Sequence, residues 1–469
     1  MKRAIALLSV LLVIVLGALT AMIALDQSAA TASGASGSLL RREARAAAWS
    51  GVLGVMAELE AQQTDLIEGS DPDLTEQWTI YADGSITARV RIEPIGSGNG
   101  SAPSDLAQSE AAKLNLNVAT APMLARLSGL GDERAQSIRS LAARGGLTSI
   151  EDLRLVGIDP RDEAGAIGGV SLESLATAYS LDPDLGIGVG DRATSGRKRA
   201  RWDPAAGAFD RRVASDNAVT EAVERLTGAN VDLSSAHDVA RALDRLNISP
   251  SVWAALWDEL AFGEQGAGRE GLVDISRAPE AVLGCIPGFE GRAKEIHEAA
   301  RRLGSDRTRS PTWPLDARLV SSSDMARALP WITTRTLHWR VIIVGEITRA
   351  SSSNDEPIVL SRAALDAIID CSGDRVRVSY LRDVTFDGAS DGIDTLLAQT
   401  LVTEEELSGA PPESSLTAPV ADRAQPGDDA RSVSRPGGTR NATSRSDPPP
   451  PQQGGDSSGH RRGRWSAKG

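Results

Sequence analysis

Residues 85–92 read Ser85-Ile86-Thr87-Ala88-Arg89-Val90-Arg91-Ile92, and their alternation decides the fold class. Ile86, Ala88, Val90 and Ile92 fall on one side, Thr87, Arg89 and Arg91 on the other, as in a strand with one buried face. Residues 78–81 predict a partner strand, and Ala82-Asp83-Gly84 between the two is an Asp-Gly hairpin signal. Comparable runs recur only late in the chain, at 339–347 (WRVIIVGEI) and 375–384 (RVRVSYLRDV), with a helix expected over 361–370 between them. These strands are expected to share one sheet. The stretch between them, about 109–330, is Ala-rich and punctuated by Gly and Pro, and reads as helical. The expected class is therefore α+β, an antiparallel sheet interrupted by a large helical insertion.

Working outward from that sheet, residues 39–66 predict a helix, with Leu40, Ala44, Ala47, Ala48, Val52, Val55, Met56 and Leu59 at three- and four-residue steps. The small-residue stretch 27–38 (QSAATASGASGS) predicts a break before it. Residues 4–25 carry no charge and follow Lys2 and Arg3 directly. At 1.5 Å per residue such a helix spans about 30 Å, the thickness of a bilayer core. The basic pair predicts a cytoplasmic N-terminus, a single-pass inner-membrane anchor and an exported bulk. A cleaved signal sequence is the competing reading, but its apolar core ordinarily runs about 7–15 residues, shorter than this one. The domains expected are 1–26 (stub and membrane helix), 39–105 (helix and first strands), 109–330 (insertion), 331–408 (late strands) and 409–469. That last stretch, rich in Pro, Ser, Gly, Asp and Arg, lacks the apolar area to order itself.

Across 469 residues, 50 Lys and Arg face 63 Asp and Glu, a net charge of −13. A chain this acidic is a poor general ligand for phosphate backbones. Two cysteines and four scattered histidines exclude a zinc-finger, iron–sulfur or disulfide-stapled framework. Whether Cys285 and Cys371 pair is left open by the sequence.

One motif occurs twice in the insertion. Leu116-Asn117-Val118-Ala119 leads into a short helix, then Ser128-Gly129-Leu130-Gly131 turns into a second helix bearing Ala135, Ile138 and Leu141. This is a helix-hairpin-helix pattern: Gly129 and Gly131 supply backbone angles closed to other residues, and Leu130 plugs the gap between the helices. A degenerate second copy runs from Val273-Asp274-Ile275 to Ile286-Pro287-Gly288-Phe289, with Glu290 in place of the second glycine. In nucleic-acid readers the turn amides hold a phosphate and basic residues follow. Here Asp132 and Glu133 follow Gly131, with Arg134 and Arg139 beyond, so a structural or protein-contact role is favoured over DNA.

At these residues the chain resembles the K-class minor pseudopilins of type II secretion systems. The resemblance is carried by the N-terminal apolar helix, the strand ending Ala88-Arg89-Val90-Arg91-Ile92, Lys113-Leu114-Asn115-Leu116-Asn117, the block 275–289, and the return strand Thr333-Thr334-Arg335-Thr336-Leu337-His338-Trp339-Arg340-Val341. It covers about residues 1–387. It implies a pilin-like sheet on the N-terminal helix, a place at the tip of a periplasmic pseudopilus, and other minor pseudopilins as partners, with no nucleic acid. The apolar helix lacks an acid until Asp26, as that class does, and lacks the glycine after which a prepilin peptidase cuts. The alternative is a membrane-anchored helix-hairpin-helix DNA receptor of the competence type.

Smaller candidates have plainer readings. Gly186-Ile187-Gly188-Val189-Gly190 looks like a phosphate loop without the strand–helix unit such a loop needs. Arg197-Lys198-Arg199-Ala200-Arg201-Trp202 reads as a solvated basic loop, and Trp253 and Trp257 as core. Asp182, Asp184 and Asp191 form a loose carboxylate cluster of the oxygen type calcium requires. Calcium enters by the resemblance alone, and the residues themselves point to no cofactor. No nucleophile–base order or metal-binding pair points to an enzyme, so a hydrolase is the weakest of the three classes.

Overall fold

The computed structural model describes residues 2–95, 106–127, 130–161, 171–188, 196–211, 213, 217–262, 268–350 and 357–385, with most side chains of 2–33 left aside. Two strands flank the Asp-Gly turn, β1 (Gln77–Asp83) and β2 (Ile86–Glu93), and three more come late: β3 (His338–Arg349), β4 (Ile358–Asp370) and β5 (Arg377–Asp383). They form one antiparallel sheet in the order β1-β2-β3-β4-β5, with Gln108–Ser109 joining β3 as a sixth, short strand. The register between β2 and β3 sets Val90 opposite Gly345 and Ile92 opposite Ile343. The first and last thirds of the fold are thereby joined directly, and the insertion is looped out between them. The mixed helix and antiparallel-sheet class holds.

One expected element is replaced. Residues 361–370, read as a helix, are the second half of β4. Leu360, Ala363, Ala364, Ala367 and Ile368 have helical spacing. The strand is central, however, and buried on both faces, so apolar residues occupy both parities and the period of two disappears.

A single helix, α1 (Lys2–Ala61), continues to α2 (Gln63–Ile67). The break expected at 27–38 is therefore absent. Alanine is the best helix former, and Gly34 and Gly37 each cost only about 1 kcal/mol against it. The C-terminal part of α1 lies on one face of the sheet through Ala44, Ala48, Val52, Val55 and Leu59, all 0% exposed. Burial of Val52, Val55 and Leu59 contributes about 1.5–3 kcal/mol each. Contact is closest at two glycines. A Cβ on Gly345 would drive into the Ala44 carbonyl and the Ala48 amide, and one on Gly51 would meet Ile343 and Val90 at 2.6 Å. Among the described residues no helix is long and apolar enough to cross a membrane. The side chains of most of 4–25, and of Lys2 and Arg3, lie outside the description, as does the 409–469 tail.

The insertion has its own core, in which Leu116, Leu124, Leu130 and Ile138 pack with Trp253, Trp257, Ile286 and Phe289. The two tryptophans are core as expected, and the Trp253 indole donates to the Ile248 carbonyl at 2.9 Å. The segment is not wholly helical. Two-residue ladders such as Leu114–Asn115 with Ala176–Thr177 pin its loops. Between this core and that under α1 the contacts are largely ionic. Arg335 donates to Asp182 at 2.5 Å and to the carbonyls of Pro183 and Leu185 at 3.0 and 2.7 Å. Arg340 of β3 holds Asp366 and Glu173, and Arg382 of β5 meets Glu151 at 2.7 Å. Cys285 and Cys371 are both free and buried, one in each core, and burial pushes each thiol up to about 12.

Candidate functional site

The two hairpins are built alike to the level of single hydrogen bonds. In the first, Leu114–Asn115 pairs in parallel with Ala176–Thr177; in the second, Val273–Asp274 pairs in parallel with Ile332–Thr333. Asn115 Oδ1 accepts from the Asn117 amide at 2.9 Å, and Asp274 Oδ1 from the Ser276 amide at 3.0 Å. The next turn closes at 2.9 Å in both copies, from the Ala119 amide to the Asn115 carbonyl and from Ala278 to Asp274. A side chain that folds back on the amide two residues on is an Asx turn, the reason Asn or Asp stands at that place. Sequence inspection found the helices and glycines but missed this paired Asx position, which Leu114-Asn115-Leu116 and Val273-Asp274-Ile275 do display.

The helices follow: α3 (Ala121–Arg126) and α4 (Gly131–Ala142) in the first copy, α5 (Glu280–Leu283) and α6 (Ala293–Leu303) in the second. The Thr120 hydroxyl caps α3. Leu130 is buried between α3 and α4 as expected, and Phe289 takes the same role in the second copy at 0% exposure. Gly131 sits at φ +68 and Gly288 at φ +96, both left-handed. Gly129 lies outside the described residues. The second copy, weaker as a motif, is the stricter in space. A Cβ on Gly288 would strike the Asp324 carbonyl, whereas a Cβ on Gly131 would meet nothing within 4 Å.

In the second turn a carboxylate takes a place that a phosphate would need. In the second turn the Gly288 amide donates to Glu290 Oε2 at 2.7 Å, and Glu290 Oε1 lies 3.2 Å from Arg126 at the end of α3. The residue that replaces the second glycine thus serves as an internal anion and links the two hairpins. In the first, Asp132, Glu133 and Arg134 are exposed at the start of α4. Arg139 is turned inward, donating to the Asn117 carbonyl at 2.8 Å. Among the described residues, the second turn's Gly288 amide is taken by Glu290 and two exposed acids follow Gly131, unlike the cation-ringed amides that grip a nucleic-acid backbone.

The smaller candidates are absorbed in the same way. The Ile187 and Gly188 amides of the glycine loop donate to the two oxygens of Asp258, at 2.6 and 2.9 Å. Gly190 and Asp191 lie outside the described residues. The basic run is not a solvated loop. Arg199 is buried against Asp182 at 3.4 Å and Asp258 at 3.7 Å, and Arg201 pairs with Asp184. Asp182 and Asp184 are both held by arginines. Among the described residues no group of three or more His, Cys, Asp or Glu is placed to hold a metal ion.

The last feature is an uncovered stripe on α1. Leu39, Trp49 and Leu53 are 56%, 43% and 51% exposed on the side away from the sheet. With Ala46 and the half-buried Met56 they follow the alternating three- and four-residue spacing of a helix seam. No protein-family model matches the chain, and neither a curated protein nor a solved structure is similar to it.

Proposed function

We propose that this protein is a structural subunit of a secretion machine, a minor pseudopilin of the K class acting at the tip of a type II secretion pseudopilus. The observation that carries the reading is α1. One unbroken helix begins with the apolar stretch behind Lys2 and Arg3 and ends packed on a sheet whose strands bracket a hairpin insertion. In this reading residues 4–25 anchor the chain once in the inner membrane. The sheet and insertion stand in the periplasm, and the stripe at Leu39, Trp49 and Leu53 receives the helices of other minor pseudopilins. The hairpins are a protein-contact platform, and no reaction is catalysed.

The competence-type DNA receptor is the second reading, and Glu290, which takes the Gly288 amide of the second turn, weighs against it. Filter binding of duplex DNA by the full chain at two salt concentrations tests the choice. The expected result is no binding beyond that of an acidic control protein. Tight binding that falls steeply with salt, and that is lost on neutralising Arg134 and Arg139, would reverse the order of the two readings.

A further inference from the structure

The outer face of α4, in the first hairpin, is exposed at Glu133, Gln136, Ser140 and Arg144. Ala135 and Ile138, both 0% exposed, turn to the core. This leaves Glu133, Ser137, Ser140 and Arg144 on one outward stripe at four- and three-residue steps. An open groove of about 510 Å³ runs along the stripe, with the half-buried Leu141 and Val156 as its apolar lining. Val156 closes the 3-10 helix Ile150–Val156, and its neighbour Leu155 is 76% exposed, more than any other large apolar side chain among the described residues. The two charges stand at opposite ends of the stripe, Glu133 in the first turn of α4 and Arg144 just past its last. At 1.5 Å per residue they are roughly 16 Å apart. Between them the stripe holds two serines, small enough for another helix to approach closely. Among the described residues neither charge has an ion-pair partner.

We propose that this face is a self-association surface, on which α4 of a second copy of the chain packs antiparallel about a two-fold axis. Such an interface is isologous: where residue i meets residue j of the other copy, j meets i. An axis midway between Ser137 and Ser140 sets these two serines on each other, Gln136 against Leu141, and Glu133 against Arg144 at both ends. Each copy then supplies an acid where the other supplies a base. A parallel pairing would set Glu133 on Glu133, and a shift by one turn would set it on a serine, so the charges select this register. Leu155, beside the groove, adds apolar surface that leaves water on contact. Exposed ion pairs fix register more than they add affinity, so the dimer is a weak one. The pairing needs only the surface of the first hairpin and stands whether or not the chain is a secretion subunit.

Sedimentation equilibrium of the full chain in density-matched detergent tests it. The wild type should pass from monomer to dimer as its concentration rises. Glu133→Arg and Arg144→Glu, both at exposed positions, should each weaken the dimer at least about tenfold, because each sets like charges together at both ends. An equimolar mixture of the two variants should regain the dimer, since both ends of the mixed pair again join an acid to a base. Misfolding cannot imitate that recovery. A wild type that stays monomeric at every concentration would overturn the proposal. So would a dimer indifferent to either reversal, such as one made through the stripe on α1, or a mixture that stays monomeric.

Discussion

Gly131, the second glycine of one turn, and Gly288, the first of the other, differ in what surrounds them. Both are left-handed, but only at Gly288 would a methyl group strike backbone, the Asp324 carbonyl. Gly131→Ala is expected to cost about 1 kcal/mol, the backbone penalty alone. Gly288→Ala adds overpacking and is expected to cost roughly 2–4 kcal/mol. Urea denaturation of the two variants checks this, and equal losses would show that the Asp324 contact relaxes freely. The glycines could be found from the motif, whereas their ranking could not, because Asp324 comes from a distant helix start. The charged residues follow the same pattern. Arg199 reads as part of a solvated loop and Asp182 as part of a loose carboxylate cluster, and the fold pairs them. Burial pushes the Glu346 carboxyl up, and Arg362 and Arg89 more than reverse this, holding it below the ordinary glutamate value. Burial lowers His338, against the opposing charge of Asp370, so its ring is neutral in the fold. Both groups have folded values below their unfolded ones, so both stabilise fully above the unfolded value and lose that contribution as pH falls. The windows open below about pH 6.5 for the histidine and below about pH 4.3 for the glutamate. Thermal melts should therefore weaken in two steps on acidification, and His338→Gln should reduce the upper one, to which His237, also lowered by burial, contributes. A flat melting temperature between those two values in the wild type would contradict the histidine assignment.

Elements were legible where one face is buried and obscure where two are. β2 alternates cleanly because α1 covers one side and its arginines take the other, so Ile86 to Ile92 read correctly. β4 is covered twice and passed for a helix. The α1 break failed for a different reason, since serines, threonines and glycines signal loops only weakly when alanines separate them. The paired hairpins were recognised by their glycines, while the Asx turns at Asn115 and Asp274 became visible only with the hydrogen bonds. The joint between insertion and sheet is ionic, and its strongest member is Arg335 on Asp182. Burial raises the Asp182 carboxyl, and Arg335 with Arg199 brings it below the ordinary aspartate value. Removing one partner of a buried pair leaves an uncompensated charge, so Arg335→Met is expected to cost roughly 3–5 kcal/mol, and Arg335→Met with Asp182→Leu distinctly less. Equilibrium unfolding of the single and double variants measures the coupling. A double variant as unstable as the sum of its singles would show the pair to be uncoupled.

At the level of the molecule, the sheet joins early and late chain segments, one long helix supports it, and a duplicated hairpin unit stands on it as a separate core. That architecture suits a subunit that is held at one end and presents a rigid surface at the other. The exposed stripe on α1 is the place where such a subunit would meet its neighbours. Leu53→Asp is expected to leave the melting temperature within about 2 °C, because Leu53 is 51% exposed and belongs to neither core, yet to prevent assembly. Topology is the second expectation. Protease added to spheroplasts should degrade the sheet and insertion, and their protection would place the bulk of the chain in the cytoplasm. The proposed function itself is tested most directly by deleting the encoding gene in the host and assaying protein secretion and DNA uptake in the same strain. The account predicts that exported proteins accumulate in the periplasm, that wild type but not Leu53→Asp restores their release, and that DNA uptake is unchanged. Intact secretion with lost DNA uptake would contradict it.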